Sequence, residues 1–483
     1  MRPREKCGVF GAHSAGQEIF SFLYWGMLAQ NHRGHHSYGF ATCSGGIEAY
    51  THLGLIPTDR APGEDSPVRV MPGRVGVANV RYATSGSSEE ESLRCDAMPI
   101  HVQGESRGVA ISFNGNIVNV RELQDRVGAD RGTSDTHALA QLFLQTLEGG
   151  GGLKDAARAC MEGIDGSYSI VGVTDDGTLF AFKDPVGVKP LCYGVSGGVH
   201  AFSSESVGLD INGLDRVREF TPGELMTVND SGVTREQVVP WRRQAFCAFE
   251  FAYFARPDSR FNGKYVYQAR MDFGKALARG FKDNVNRCDV CIGIPETAND
   301  AAYGFHEESG LPWDMATRRH RFVTQRAFIS KAGERADVIR RKVNLLKDRV
   351  EGRCLAVVDD SIVRGDTTKG TVKRLRDAGA NEVHLFITFP RIIGPCFYGI
   401  DMATYGELIG AAMSPEEIAE EVGADSVNYL SVDEYVRETG MPRSKLCLGC
   451  VTGEYPTPLA NRLSRGMRER LRRGDAEKGR IYE

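Results

Sequence analysis

The stretch CLAVVDDSIVRGDTTKGTVKRL, residues 354–375, constrains the fold more than any other part of the chain. An apolar run, Cys354 to Val358, reads as a buried strand. It leads into two adjacent acids, Asp359 and Asp360, then a Ser/Gly/Thr loop from Ser361 to Thr368, then an amphipathic helix. Backbone N–H groups at a helix N-terminus, helped by threonine hydroxyls, make an anion site at the carboxyl end of a parallel strand. Two carboxylates beside such a cradle would repel an anion. They fit if they grip ribose hydroxyls or a Mg²⁺ that offsets the charge. GxxxxGK[ST] is absent, so this is not a Walker A loop.

The rest of residues 268–483 shares this grammar of apolar strands followed by helices, as in VCIGIP, residues 290–295, and EVHLFIT, residues 382–388. That alternation predicts a parallel sheet with crossover helices. Up to about residue 245 the pattern differs: the short β-like runs GRVGVANVRY, GVAISFNGN, YSIVGVT and LFAFKD lie between Gly-, Ser- and Asp-rich turns. Helical stretches at Glu18–Asn31 and Thr136–Glu148 interrupt them. A sheet-rich α+β layer domain is expected there, with the junction between Val239 and Phe251. No internal repeat is visible.

The 483 residues carry a net charge of −4, so no basic field recommends nucleic acid or an anionic membrane as partner. No apolar run reaches the ~18 residues of a membrane span, and a cytoplasmic location is expected. The Arg-rich C-terminus reads as a helix with a solvated basic face.

The loop DDSIVRGDTT resembles the phosphoribosylpyrophosphate (PRPP) motif of type I phosphoribosyltransferases and, more narrowly, of the glutamine PRPP amidotransferases. The likeness spans Cys7 to about Pro456. It implies an α+β N-terminal nucleophile glutaminase domain of αββα layers, residues 7–240, before an α/β type I phosphoribosyltransferase domain, residues 241–456. Residues 457–483 form a C-terminal basic helix or tail. The implied PRPP site comprises Pro295, Glu296 and Thr297 of PETAND together with Asp359, Asp360, Ser361, Ile362, Val363, Arg364, Gly365, Asp366, Thr367 and Thr368. Thr297, Asp359 and Asp360 would hold Mg²⁺.

Cys7 follows the charged leader Met1–Lys6, which is neither secretory signal nor anchor. From CGVFG alone, a buried strand cysteine and a nucleophile freed by removal of the leader stand level. In the second case the α-amine, pKa near 8, serves as base for the thiol of the same residue. The segments NHRGHHSYGF, VRYATSGSS, FNGNIVN and GTSDTHAL resemble the glutaminase signatures of the same family, in order. They imply a propeptide at residues 1–6 and Cys7 as nucleophile. Asn114 and the Gly115 N–H would form the oxyanion hole. Arg81 would pair with the glutamine carboxylate, Asp135 with its ammonium, and Arg33 and Gly34 would shape the wall.

Of twelve cysteines, Cys43, Cys95, Cys160, Cys192, Cys288, Cys291 and Cys354 read as small buried hydrophobes. CLGC, Cys447 to Cys450, is a CxxC pair with no second CxxC for a zinc ribbon. The resemblance adds Cys247 and Cys396 and implies a structural [4Fe–4S] cluster, with Cys₄ zinc as the alternative.

The family reaction transfers the glutamine amide nitrogen to PRPP, giving phosphoribosylamine, glutamate and pyrophosphate, at the start of purine synthesis. Ammonia must travel shielded from water, so a closing segment is expected at Arg318–Ile329, where Arg321 and Arg326 could neutralise phosphates. Tetramers inhibited by purine nucleotides are implied. The chain departs from the family at Asp366, beside the 5′-phosphate, at Tyr38, at Phe113, at Cys95–Pro99 and in the closing segment. These departures motivate a second reading, a paralogue acting on another phosphosugar. A third, a sensor without catalysis, expects a lost nucleophile and sees none.

Overall fold

A computed structural model describes residues 7–58, 61–63, 66–82, 90–130, 132–215, 217–241, 243–319 and 343–475. The leader Met1–Lys6, Arg321 and Arg326, and the end of the C-terminal tail lie outside the described residues.

Residues 8–237 build two antiparallel sheets. One has seven strands in the order Arg218–Glu219, Cys192–Ser196, Val199–Ser203, Gly8–Ser14, Val75–Arg81, Ser37–Cys43, Ile47–Leu53. The other has six: Gly232–Gln237, Glu224–Asn229, Leu179–Lys183, Gly166–Thr174, Gly108–Ile117, Ile100–Gln103. The central strands are buried throughout, because each sheet is covered on both faces. Along Gly8–Ser14, Val9 meets residues of the second sheet while Phe10 and Ala12 meet helix Phe20–Leu28. Helices Asp135–Glu148 and Leu153–Gly163 cover the far side of the six-stranded sheet. The layers are therefore αββα. Gly11 permits the sheets' close approach, since a Cβ there would lie 2.5 Å from Val171 Cγ1. The first expected helix is shorter than its pattern, at Phe20–Leu28.

The second half carries a five-stranded parallel sheet, ordered Trp313–Asp314, Val290–Gly293, Cys354–Asp359, Glu382–Ile387, Ser426–Tyr429. Ala356 and Val358 face helices Val266–Gly280 and Asn299–Ser309, while Leu355 and Val357 face Asp366–Asp377 and Pro415–Val422. The junction is stitched to the first half: the N–H groups of Ala245 and Cys247 donate to the carbonyls of Val186, at 2.9 Å, and Val188, at 3.0 Å. Helix Pro458–Arg472 buries Ala460 and Met467 in the second half's core. Among the described residues, no helix is long and apolar enough to cross a membrane.

Candidate functional site

Cys7 sits at the head of the strand Gly8–Ser14, 3 % exposed, with φ of 56°. That left-handed value is uncommon for a residue with a side chain. Its carbonyl accepts a 3.3 Å bond from Arg33 Nε. The Arg33 guanidinium is fully buried and held by two carboxylates: Glu205 on Nη1, and Glu250 on Nη2 at 2.8 Å and Nη1 at 3.2 Å. The Arg33 side chain thus grips the Cys7 backbone, beside the residue whose site it was expected to help shape. Two carboxylates around one guanidinium leave it no freedom to turn outward. Gly34 is required for close approach, since a Cβ would stand 2.3 Å from the Val80 carbonyl carbon.

Arg81 ends the strand Val75–Arg81. Its Nη2 meets Asp96 at 3.2 Å, while its buried Nη1 has no partner among the described residues. Asn114, on Gly108–Ile117, is fully buried with both amide atoms unpartnered among the described residues. Orphaned polar atoms at this depth are costly unless a ligand satisfies them. Gly115 lies in the same strand opposite Tyr168, where a Cβ would come 2.5 Å from the Ser167 carbonyl oxygen. Asp135 opens helix Asp135–Glu148, where one oxygen accepts from the Ile117 N–H at 3.3 Å. Asp96 and His137, 3.8 Å apart, complete this polar group; burial pushes the His137 imidazole below its ordinary pKa, against the pull of Asp96. Sequence reasoning passed over both, although Asp96 lies in the stretch that departs from the family pattern.

In the parallel sheet, Asp359 and Asp360 stand at the carboxyl end of the central strand, 6 % and 1 % exposed. Ser361 Oγ donates to Asp360 at 2.6 Å, and the Thr297 hydroxyl donates to its other oxygen, so PETAND and the acids are brought together. Gly365, at φ of 83°, caps the helix Asp366–Asp377. The helix thus starts inside the expected loop, and Thr367 and Thr368 occupy its first turn. A shallow cleft is lined by Asp359, Ser361, Val363, Arg364, Gly365, Thr367 and Thr368. Ile362, Asp366, Pro295 and Glu296 are not in the cleft lining. Ile362 is packed in the core, and Asp366 is exposed outside the cleft lining, because it is turned to solvent at the start of the helix. Arg364 is engaged by Glu407. Pro295 is half-buried, and Glu296 is exposed, 3.4 Å from Arg319.

Cys247, Cys396, Cys447 and Cys450 line one small pocket, joined by Lys189 and Tyr455. Phe246–Cys247 pairs in parallel with Leu446–Cys447, which sets two of the thiols side by side. Cys396 Sγ accepts the N–H groups of Tyr398, at 3.4 Å, and Ile400, at 3.5 Å. Burial pushes the Cys447 thiol up to about 12, and those of Cys247 and Cys450 well above the ordinary thiol range. The donor chemistry suits a group bound by four thiolates, with buried Lys189 to offset its charge. Among the described residues no group of three or more His, Cys, Asp or Glu is set to hold a single metal ion. Cys95 is exposed and Cys354 half-buried, unlike the expected hydrophobes.

A family model described as a glutamine amidotransferase domain matches residues 91–210. The amidophosphoribosyltransferase of Methanothermobacter thermautotrophicus is 34% identical over 468 residues, 95% of this chain and 96% of that protein. The Pyrococcus horikoshii amidophosphoribosyltransferase is 38% identical, covering 94% and 97%. Among solved structures, glutamine PRPP amidotransferase from Bacillus subtilis, complexed with ADP and GMP, superposes with a TM-score of 0.84 at 34% identity, covering 94% of this chain and 98% of that one.

Proposed function

This chain belongs to the amidophosphoribosyltransferase family, and from that membership we infer that it is the enzyme that transfers the amide nitrogen of glutamine to PRPP. The products are phosphoribosylamine, glutamate and pyrophosphate, and the reaction opens de novo purine synthesis. The fold is an N-terminal nucleophile glutaminase domain followed by a type I phosphoribosyltransferase domain. The observation that carries the reading is one chain holding both buried unpartnered polar atoms, Arg81 Nη1 and the Asn114 amide, and a cleft at a helix N-terminus beyond the end of a parallel strand. Asp366, the reason to consider another phosphosugar, is exposed outside that cleft, and the alternative acceptor has no support.

In this proposal residues 1–6 are a propeptide, 7–240 the glutaminase domain, 241–456 the transferase domain and 457–483 the basic tail. The Cys7 thiol attacks the glutamine carboxamide with its own amine as base. Arg81 Nη1 takes the substrate carboxylate and Asp135 its ammonium. The Asn114 amide and Gly115 N–H receive the oxygen that becomes negative in the tetrahedral intermediate. Collapse of that intermediate expels ammonia and leaves a thioester, which water hydrolyses to glutamate and the free thiol; ammonia attacks C1 of PRPP as pyrophosphate departs, with the 5′-phosphate resting on Thr367, Thr368 and the helix N-terminus. Thr297, Asp359 and Asp360 supply the oxygen donors that Mg²⁺ takes, and the ion would neutralise the departing pyrophosphate. Cys247, Cys396, Cys447 and Cys450 would hold a [4Fe–4S] cluster as a structural crosslink. Purine nucleotides as inhibitors, a tetramer and a cytoplasmic location complete the proposal.

The test is glutamate and pyrophosphate release in Mg²⁺ buffer, without oxygen, with and without PRPP. Both rise together only when PRPP is present. Glutamine hydrolysis indifferent to PRPP, in protein whose mass shows loss of the first six residues, would sink the acceptor assignment.

A further inference from the structure

We propose that Glu250 is a positioning residue for Cys7, and that a bridge of side chains and backbone through it ties the glutamine site to the PETAND helix. The proposal rests on the reading of Cys7 as nucleophile.

Both acids that hold Arg33 are fully buried, but they differ in what else they do. Glu205 also accepts from His32 Nε2 at 2.8 Å, the Arg256 N–H at 3.0 Å and Ser259 Oγ at 2.6 Å. Glu250 meets the guanidinium through both carboxylate oxygens, and such a two-point contact fixes its plane. The plane decides where Nε points, and Nε points at the Cys7 carbonyl. Once the leader is removed, Cys7 is the chain terminus, with no preceding peptide to orient it, and the bond to its carbonyl is fixed from the second half of the chain, through Glu250 and Arg33.

Glu250 opens the five-residue π-turn Glu250–Phe254, a geometry found often at functional sites. The carbonyls of Phe251 and Ala255 accept from Arg270, Nε at 3.0 Å and Nη2 at 2.7 Å. Arg270 is 3 % exposed, and its Nη1 faces Asp300 at 3.7 Å. Asp300 is the second residue of helix Asn299–Ser309, which follows PETAND directly. The connection therefore runs from the Cys7 carbonyl through Arg33 and the Glu250 carboxylate, along the backbone of the π-turn, to Arg270 and Asp300.

The experiment follows alkylation of Cys7 by a diazoketone analogue of glutamine, read by peptide mass, in wild type and Glu250→Gln. Ammonia-dependent pyrophosphate release serves as the control for folding. The expected result is at least a tenfold slower maximal labelling rate, with half-saturation for the analogue within twofold of wild type and ammonia-dependent activity retained. Labelling within twofold of wild type overturns the proposal. Should Glu250→Gln lose ammonia-dependent activity as well, the partly exposed Asp300→Asn decides: the stimulation of glutamine hydrolysis by PRPP falls at least threefold, and unchanged stimulation overturns the bridge. Wild-type protein left unlabelled at Cys7 would instead refute the nucleophile assignment.

Discussion

Asn114→Ala is expected to make the protein more stable and the glutaminase far slower. The Asn114 side chain is fully buried, with neither amide atom partnered among the described residues. An unsatisfied buried polar group costs about 1–3 kcal/mol. Truncation removes that cost and leaves a small cavity, at ~24 cal/mol per Å³ a penalty on the order of 1 kcal/mol. The balance favours the alanine variant by about 1 kcal/mol. Losing an oxyanion donor costs about 2.7–4 kcal/mol in the transition state, or ~10²–10³ in kcat. Chemical denaturation of the glutaminase half reads the first effect, and glutamate release under saturating glutamine and PRPP reads the second. Ammonia-dependent synthesis, which bypasses this site, stays within twofold. A loss of stability above about 1 kcal/mol would show that the amide is already satisfied. Hydrolysis slowed less than tenfold would show that it is not an oxyanion donor.

Arg81→Ala removes the unpartnered Nη1 and should raise KM for glutamine by about tenfold or more, the worth of a charge-assisted hydrogen bond, with KM for PRPP unmoved. Asp366→Thr should leave KM for PRPP within twofold, because the carboxylate is exposed outside the cleft; a large gain in affinity would contradict that placement. Burial disfavours the charged form of Glu205, but His32 and Arg33 outweigh it and hold the carboxyl well below its ordinary 4.5. A depressed acid stabilises the fold fully above its unfolded pKa and progressively less as pH falls towards the folded value. Thermal stability should therefore drop below about pH 4.5 in wild type, and more shallowly in Glu205→Gln.

Much of the fold was legible because the strands are short apolar runs and the parallel half alternates strand with helix. GVAISFNGN and YSIVGVT became neighbouring strands of one sheet, and CLAVVD the central strand of the other. The helix after the phosphate loop began earlier than expected, because Gly365 takes the left-handed cap that ends the loop. Arg33 could be seen as a site residue but not as a buried clamp, since its acids come from positions 205 and 250. Glu250 did leave a signal: it is a lone acid in the aromatic run CAFEFAYF. Burying it there needs a partner, and nothing local reveals which arginine serves. Asp96 meets both Arg81 and His137 only through the tertiary fold.

The two-residue ladder of Phe246–Cys247 with Leu446–Cys447 also sets an order in time. Its strands lie 200 residues apart along the chain. A chain emerging from the ribosome can form both antiparallel sheets and most of the parallel one before Leu446 exists. The four-thiol cavity cannot close until that last segment brings Cys447 and Cys450 to Cys247 and Cys396, whose neighbour Phe397 accepts a 3.0 Å bond from Asn116 of the first half. The four-thiol cavity is therefore assembled late, after both of the sheets that carry the residues of the two sites.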